Sequence, residues 1–197
     1  MEAKKRLIEI YNEVQKCEKC PLYKNRTKPV FGNGSPDSPI MLIGEGPGYE
    51  EDKTGKVFVG KSGILLDKIL DACCFDRRKH IFIANIVKCR PLGNRNPEKE
   101  EIEHCMPYLL EQIKLINPII IVTLGSVAVK SLIDPSIKIT KQRGQWIKWS
   151  DYLVMPTYHP SALLRNPDLK KDAWIDFKNV VLKYRELGNS KHHCSYI

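Results

Sequence analysis

A chain of 197 residues, 42% hydrophobic and 28% charged, is long enough to bury a sizeable core as a single domain over 1–197. Its formal net charge of +9 points to a polyanionic partner, nucleic acid before a membrane surface. No apolar run reaches the length of a membrane span, and the opening MEAKKRLIEIYNEVQ mixes charge with apolar side chains, which excludes a signal-peptide core there. The expected compartment is the cytoplasm, where seven cysteines do not make a disulfide framework; nothing requires more than a monomer.

In chain order, Leu7, Ile8, Tyr11 and Val14 share one face of an N-terminal helix that stops near Pro21. Residues 24–38 read as a basic loop, and 39–43 as a buried strand. A long glycine-punctuated loop follows, GEGPGYEEDKTGKVFVGKSG from Gly44 to Gly63, leading into a helix over about 62–72. A second strand covers 80–87 and contains Asn85; a second basic loop covers 89–97. A helix with Ile102, Met106, Leu109, Leu110, Ile113 and Ile116 in register follows, with Pro107 expected to kink it. A strand at 118–124, a short helix at 127–133, a basic β-rich stretch at 138–149, a strand at 152–156 and a final helix at 170–186 complete the order. Strands alternating with helices predict an α/β three-layer sandwich, a four-stranded, mostly parallel sheet between helices. Its functional loops follow strand carboxyl ends and can converge on one crevice.

The cysteines carry a second signal. Cys17 and Cys20 form a close C-x2-C pair, and Cys89 and Cys105 lie further along. Such a set can close a four-thiolate site on an iron–sulfur cluster or on zinc. Cys73 and Cys74 read as small hydrophobes at a helix end, and His192-His193-Cys194 as an exposed terminal tail. The stretch from Gly55 to Ser62 matches the phosphate-loop pattern GxxxxGK[ST], but an acidic segment rather than a buried strand precedes it. Bulky Val57, Phe58 and Val59 occupy its variable positions, so nucleotide hydrolysis is set aside.

Taken together, GEGPGYEED, GKVFVGKSG, Asn85 after an apolar strand, HPSALLR and the cysteines resemble the iron–sulfur uracil-DNA glycosylases of family 4, from Cys17 to Arg165. The resemblance implies base flipping into a pocket, with Phe58 stacked on the uracil and Asn85 pairing with its N3 hydrogen and O4. It implies His159 as donor to O2 and Glu45 as the group that orients or activates water. Gly44 and Gly46 would shape the pocket, and Glu51 would pack near C5 to exclude thymine. Ser161, Leu163, Leu164 and Arg165 would face the DNA, with Leu163 or Leu164 filling the vacated gap. The basic loops at 24–28 and 88–95 would hold phosphates. Cys17, Cys20, Cys89 and Cys105 would hold a structural 4Fe-4S cluster. The implied partner is uracil-containing DNA, single- or double-stranded, with free uracil as product.

Tyr49 departs from the pattern, standing where an acid or a small residue is expected. The insertion that marks relatives trapping the sugar covalently is also missing after Cys89, which argues for turnover. A non-catalytic, metal-stabilised nucleic-acid-binding module would explain the charge and the cysteines, but not Glu45, Phe58, Asn85 and His159.

Overall fold

The structure, a computed structural model, describes residues 2–197. Its elements run α1 (Glu2–Gln15), β1 (Asn33–Gly34), β2 (Ile40–Gly44), α2 (Tyr49–Thr54), α3 (Lys61–Ala72), β3 (Ile81–Asn85) and α4 (Lys99–Ile116). They continue with β4 (Ile120–Leu124), α5 (Ser126–Leu132), α6 (Ile139–Gln142), β5 (Ile147–Trp149), β6 (Tyr152–Thr157), α7 (Pro160–Arg165) and α8 (Leu169–Leu187). No helix of the described residues is long and apolar enough to cross a membrane.

The sheet is mixed and has six strands, in the order β1-β3-β2-β4-β6-β5, rather than the four expected. The pairings β3–β2, β2–β4 and β4–β6 are parallel, whereas β1 and β5 add antiparallel edges. Strand β1, two residues long, is too short for any alternation to register, whereas β5 closes the stretch 138–149 read as β-rich, whose first part forms α6 instead. Alternate side chains of the central strands serve two cores. Met41, Ile43, Phe82 and Ile121 pack with α1 and α4, while Ile40, Leu42, Ile83 and Val122 pack with α3 and α8. Full burial on both faces is why these strands read as unbroken apolar runs.

Three further expectations are corrected, on the loop after β2, the terminal tail and Cys74. The loop after β2 contains α2, capped by Gly48 with Glu51 at the third helical position and ended by Gly55 at φ 75°. Pro107 lies within α4 without interrupting it, on the exposed face. The C-terminal segment is packed rather than exposed: His192 stacks on Phe75 with ring centroids 4.7 Å apart, and its Nε2 lies 3.0 Å from the Cys73 carbonyl. Cys73 and Cys194 are buried there, but Cys74 faces solvent at φ 57°, so it does not pack as a small hydrophobe.

Strand order sets the site. From β2 the chain moves to β3 on one side and later to β4 on the other, so a crevice opens at the carboxyl ends of these strands. No strand leads directly into Gly55; α2 does, which removes the geometry a phosphate loop requires.

Candidate active site

The crevice is a cleft of about 1420 Å³, its open mouth included. Glu45, Gly46, Glu51, Phe58, Asn85, His159, Ser161 and Arg165, all expected from the sequence, line it. Gly44 lies directly beneath: a Cβ there would stand 2.5 Å from Asn85 Oδ1 and 2.9 Å from the Phe58 ring.

Asn85 ends β3, opposite Gly44 of β2. It is 1% exposed, and its Oδ1 has no hydrogen-bond partner. A buried amide oxygen left unpaired costs about 1–3 kcal/mol, which marks the group as awaiting a partner. Beyond the strand, Ile86 N donates to Gly44 O at 2.9 Å and Val87 N to Glu45 O at 3.1 Å. Glu45 is therefore rooted on the last rungs of the ladder, not on a loose loop. Burial raises its carboxyl above the usual value, with the Arg165 charge pulling the other way.

Phe58 sits in the left-handed region at φ 51°, a strained setting for a bulky residue. Arg77 holds it there, donating to Val57 O at 2.6 Å and Phe58 O at 3.3 Å. Gly63 leaves the room, since a Cβ at that position would collide with the Phe58 carbonyl. The Phe58 and His159 rings are 5.6 Å apart, tilted by 36°.

His159 follows β6 and caps α7. Its Nδ1 accepts from Ser161 N–H at 3.1 Å and lies 2.8 Å from Ser161 Oγ. With Nδ1 accepting a backbone proton, the neutral ring carries its own proton on Nε2. Burial, reinforced by Arg165, lowers its pKa to about 4. The ring is thus a neutral N–H donor at physiological pH. Behind it, Thr157 Oγ1 donates to Asp176 at 2.7 Å, and Arg143 pairs with the same carboxylate, anchoring the end of β6.

Glu51 lines the cleft and also holds its loop. Its Oε1 accepts from Val59 N and Gly60 N, each at 2.8 Å, and its Oε2 from Gly48 N at 3.1 Å. The carboxylate ties both ends of the loop together. Ser62, Asn94, Arg95, Ser126 and Tyr158 also line the cleft and are not among the residues expected there. Ser126 does leave a signal, the Gly125-Ser126 step that opens α5 directly after a strand.

Of the two leucines, Leu163 is 1% exposed and packs toward the interior, whereas Leu164, at 44%, is presented to solvent. The basic loops also need revision. Arg26 turns inward, donating to Cys17 O at 2.7 Å and Cys89 Sγ at 3.2 Å. Lys88 is fully buried, and burial lowers its ammonium to about 8. Arg90 stacks over Tyr49 at 5.2 Å, and Arg95 is paired with Glu101. Of the cations expected at phosphate, Lys24, Lys28 and Arg165 stand exposed to meet it.

Cys17, Cys20, Cys89 and Cys105 line a second, apolar cavity of about 310 Å³, its mouth included, between the end of α1 and α4. Burial pushes Cys105 up to about 12 and raises Cys20 and Cys89. Among the described residues no group of His, Cys, Asp or Glu is placed to hold a single metal ion. The donor set is nevertheless all thiol, and two N–H···S contacts already serve it: Arg26 to Cys89, and Lys88 N to Cys105 Sγ at 3.2 Å. Such contacts suit iron–sulfur ligation.

Residues 31–179 match the model of the uracil DNA glycosylase superfamily. The chain is similar to the type-4 uracil-DNA glycosylase of Thermotoga maritima, at 48% identity over 84% of this chain and 88% of that protein. It is also similar to the type-4 enzymes of Sulfurisphaera tokodaii, at 44% over 88% and 83%, and Saccharolobus solfataricus, at 45% over 87% and 83%. With that likeness across most of its length, the chain belongs to the type-4 uracil-DNA glycosylase family.

Proposed function

We propose that the protein excises uracil from DNA, hydrolysing the N-glycosidic bond to leave an abasic site and free uracil. The observation that carries this reading is the buried, unpaired Oδ1 of Asn85 on a cleft walled by Phe58 and His159. A uracil swung out of the stack enters the cleft and stacks on Phe58. Asn85 Oδ1 accepts from N3–H while its amide N–H donates to O4. Cytosine offers the opposite pattern and leaves both sites mismatched.

The bond from C1′ to N1 breaks with its electron pair passing to the base. His159 Nε2–H faces the charge that develops on O2, and because the ring is neutral it donates without surrendering its proton. Glu45 receives a proton from the water whose oxygen bonds to C1′; its raised basicity suits it to that task. Glu51 acts indirectly, holding the loop as a wall beside C5, where thymine carries its methyl group. Leu164 fills the gap left in a duplex, and Arg165 with Lys24 and Lys28 meets phosphates.

Cys17, Cys20, Cys89 and Cys105 would hold a 4Fe-4S cluster. Glycosidic hydrolysis transfers no electrons, so these cysteines would use it as a structural crosslink of the end of α1, the loop after β3 and α4.

The test is base release from oligonucleotides carrying one uracil, single-stranded and paired with guanine, followed by alkaline cleavage at abasic sites. Strand breaks at uracil, absent from a thymine control and reduced by Asn85→Ala, support the reading. DNA binding without breaks overturns it.

A further inference from the structure

Among the described residues Lys88 heads the fully buried side chains by volume, and it brings a charge inside with it. A methionine would fill the same space without that cost. The ammonium meets two neutral oxygens: the Asn85 backbone carbonyl at 2.9 Å and Gln112 Oε1 at 2.7 Å. Gln112 is itself 0% exposed and fixed by a bond from its Nε2 to Phe31 O at 3.0 Å. The Lys88 main chain is held as firmly, its N–H by Cys105 Sγ at 3.2 Å and its carbonyl by Val30 N at 2.7 Å.

The place of this contact gives it meaning. Ile86 and Val87 direct their amides to Gly44 and Glu45, so the last backbone bonds between the two segments lie just beyond Asn85. Asn85 O is gripped at that point by a side chain three residues later. A residue whose amide must stay unpaired cannot be oriented by its own side chain; its backbone has to be fixed instead.

We propose that Lys88 is a positioning residue for base recognition: its ammonium clamps the Asn85 carbonyl and so holds the unpaired Asn85 amide toward the uracil edge. The inference rests on the uracil-excision reading. It predicts a defect confined to the base, since Leu164 and Arg165 lie on a different element.

The experiment compares the parent with Lys88→Met, each with its full complement of iron. Three quantities are read: kcat/KM on a single-uracil strand, inhibition by free uracil, and affinity for an abasic-site duplex. A displacement of about 1 Å in a reacting group costs on the order of 100-fold. A kcat/KM loss of that order is expected, with weaker uracil inhibition and unchanged abasic-site affinity. In an Asn85→Ala background the Lys88→Met change should add nothing. Full additivity, equal losses of uracil and abasic-site affinity, or parental uracil inhibition would each overturn the proposal.

If Lys88→Met fails to fold or loses iron, Gln112→Met and Gln112→Glu decide. Removing the second acceptor should weaken uracil inhibition, and the variant that keeps an acceptor oxygen should restore it; equal behaviour of the two rejects the clamp. A parent inactive on uracil would instead reject the excision reading itself, whatever the variants do.

Discussion

Gly44 and Asn85 face each other across β2 and β3, and a Cβ on Gly44 would stand 2.5 Å from Asn85 Oδ1. The same Cβ would press on the Phe58 ring at 2.9 Å. Glycine here leaves room for the pocket rather than for an unusual backbone. Gly44→Ala is therefore expected to cost about 1–3 kcal/mol of stability, as overpacking does. Its effect on excision should be larger, on the order of 100-fold in kcat/KM, because the displaced groups are those proposed to meet the base. Thermal melts beside single-turnover rates test this; equal rates for the two proteins would remove Gly44 from the site.

The pH profile separates Glu45 from His159. With Glu45 as the proposed acceptor of the water proton, excision needs it ionised, and burial raises its pKa above the ordinary 4.5, so the rate should fall as pH drops through that higher value. His159, lowered to about 4, stays neutral across the range from pH 5 to 8 and adds no limb there. Arg165 opposes the rise at Glu45, so Arg165→Ala should move the acid limb to higher pH. Glu45→Gln should abolish the limb, and His159→Ala should lower the plateau without moving it. Single-turnover rates at saturating enzyme and fixed salt read all three; a limb near 6.5 lost with His159 would contradict the assignment.

Much of this arrangement is legible in the order of residues alone. Buried parallel strands announce themselves as apolar runs, which is why 39–43, 80–87 and 118–124 fall close to β2, β3 and β4. Glu45 follows β2, Phe58 precedes α3, Asn85 ends β3 and His159 follows β6, and all four line one cleft. Charge, in contrast, says nothing of direction. Arg26 and Lys88 read as parts of basic loops, yet one reaches a thiol and the other is enclosed. Their partners, Cys89 and Gln112, are distant in sequence, and a one-dimensional reading has no means of pairing them. Helix α2 does leave a trace, the Gly48-to-Glu51 capping spacing with Gly55 beyond it, masked by the density of glycines.

Leu163 and Leu164 are adjacent and opposite in fate. Leu163 is 1% exposed, so Leu163→Ala should cost about 2–5 kcal/mol and appear first as a lower melting temperature. Leu164 stands 44% exposed, and Leu164→Ala should change stability by no more than about 0.5 kcal/mol. Its cost belongs to duplex substrates, where a vacated stack needs filling. A single strand has no such gap. Excision from a uracil–guanine duplex should therefore fall more than excision from a single strand. A uniform loss on both substrates would remove Leu164 as the wedge.

Arg26 offers a test of the cysteine cavity that leaves the pocket untouched. Its guanidinium bonds Cys89 Sγ at 3.2 Å and Cys17 O at 2.7 Å, joining two of the cavity's cysteines. Outer contacts of this kind typically change metal retention by about 10–100-fold. Arg26→Ala should then lose iron faster under a chelator, followed by the decay of visible absorbance, and melt at a lower temperature. While the iron is retained, uracil excision well below the melting point should match the parent, because no part of Arg26 lines the cleft. The opposite pattern, stable iron with weakened and less salt-dependent DNA binding, would return Arg26 to the phosphate-contacting role its loop first implied.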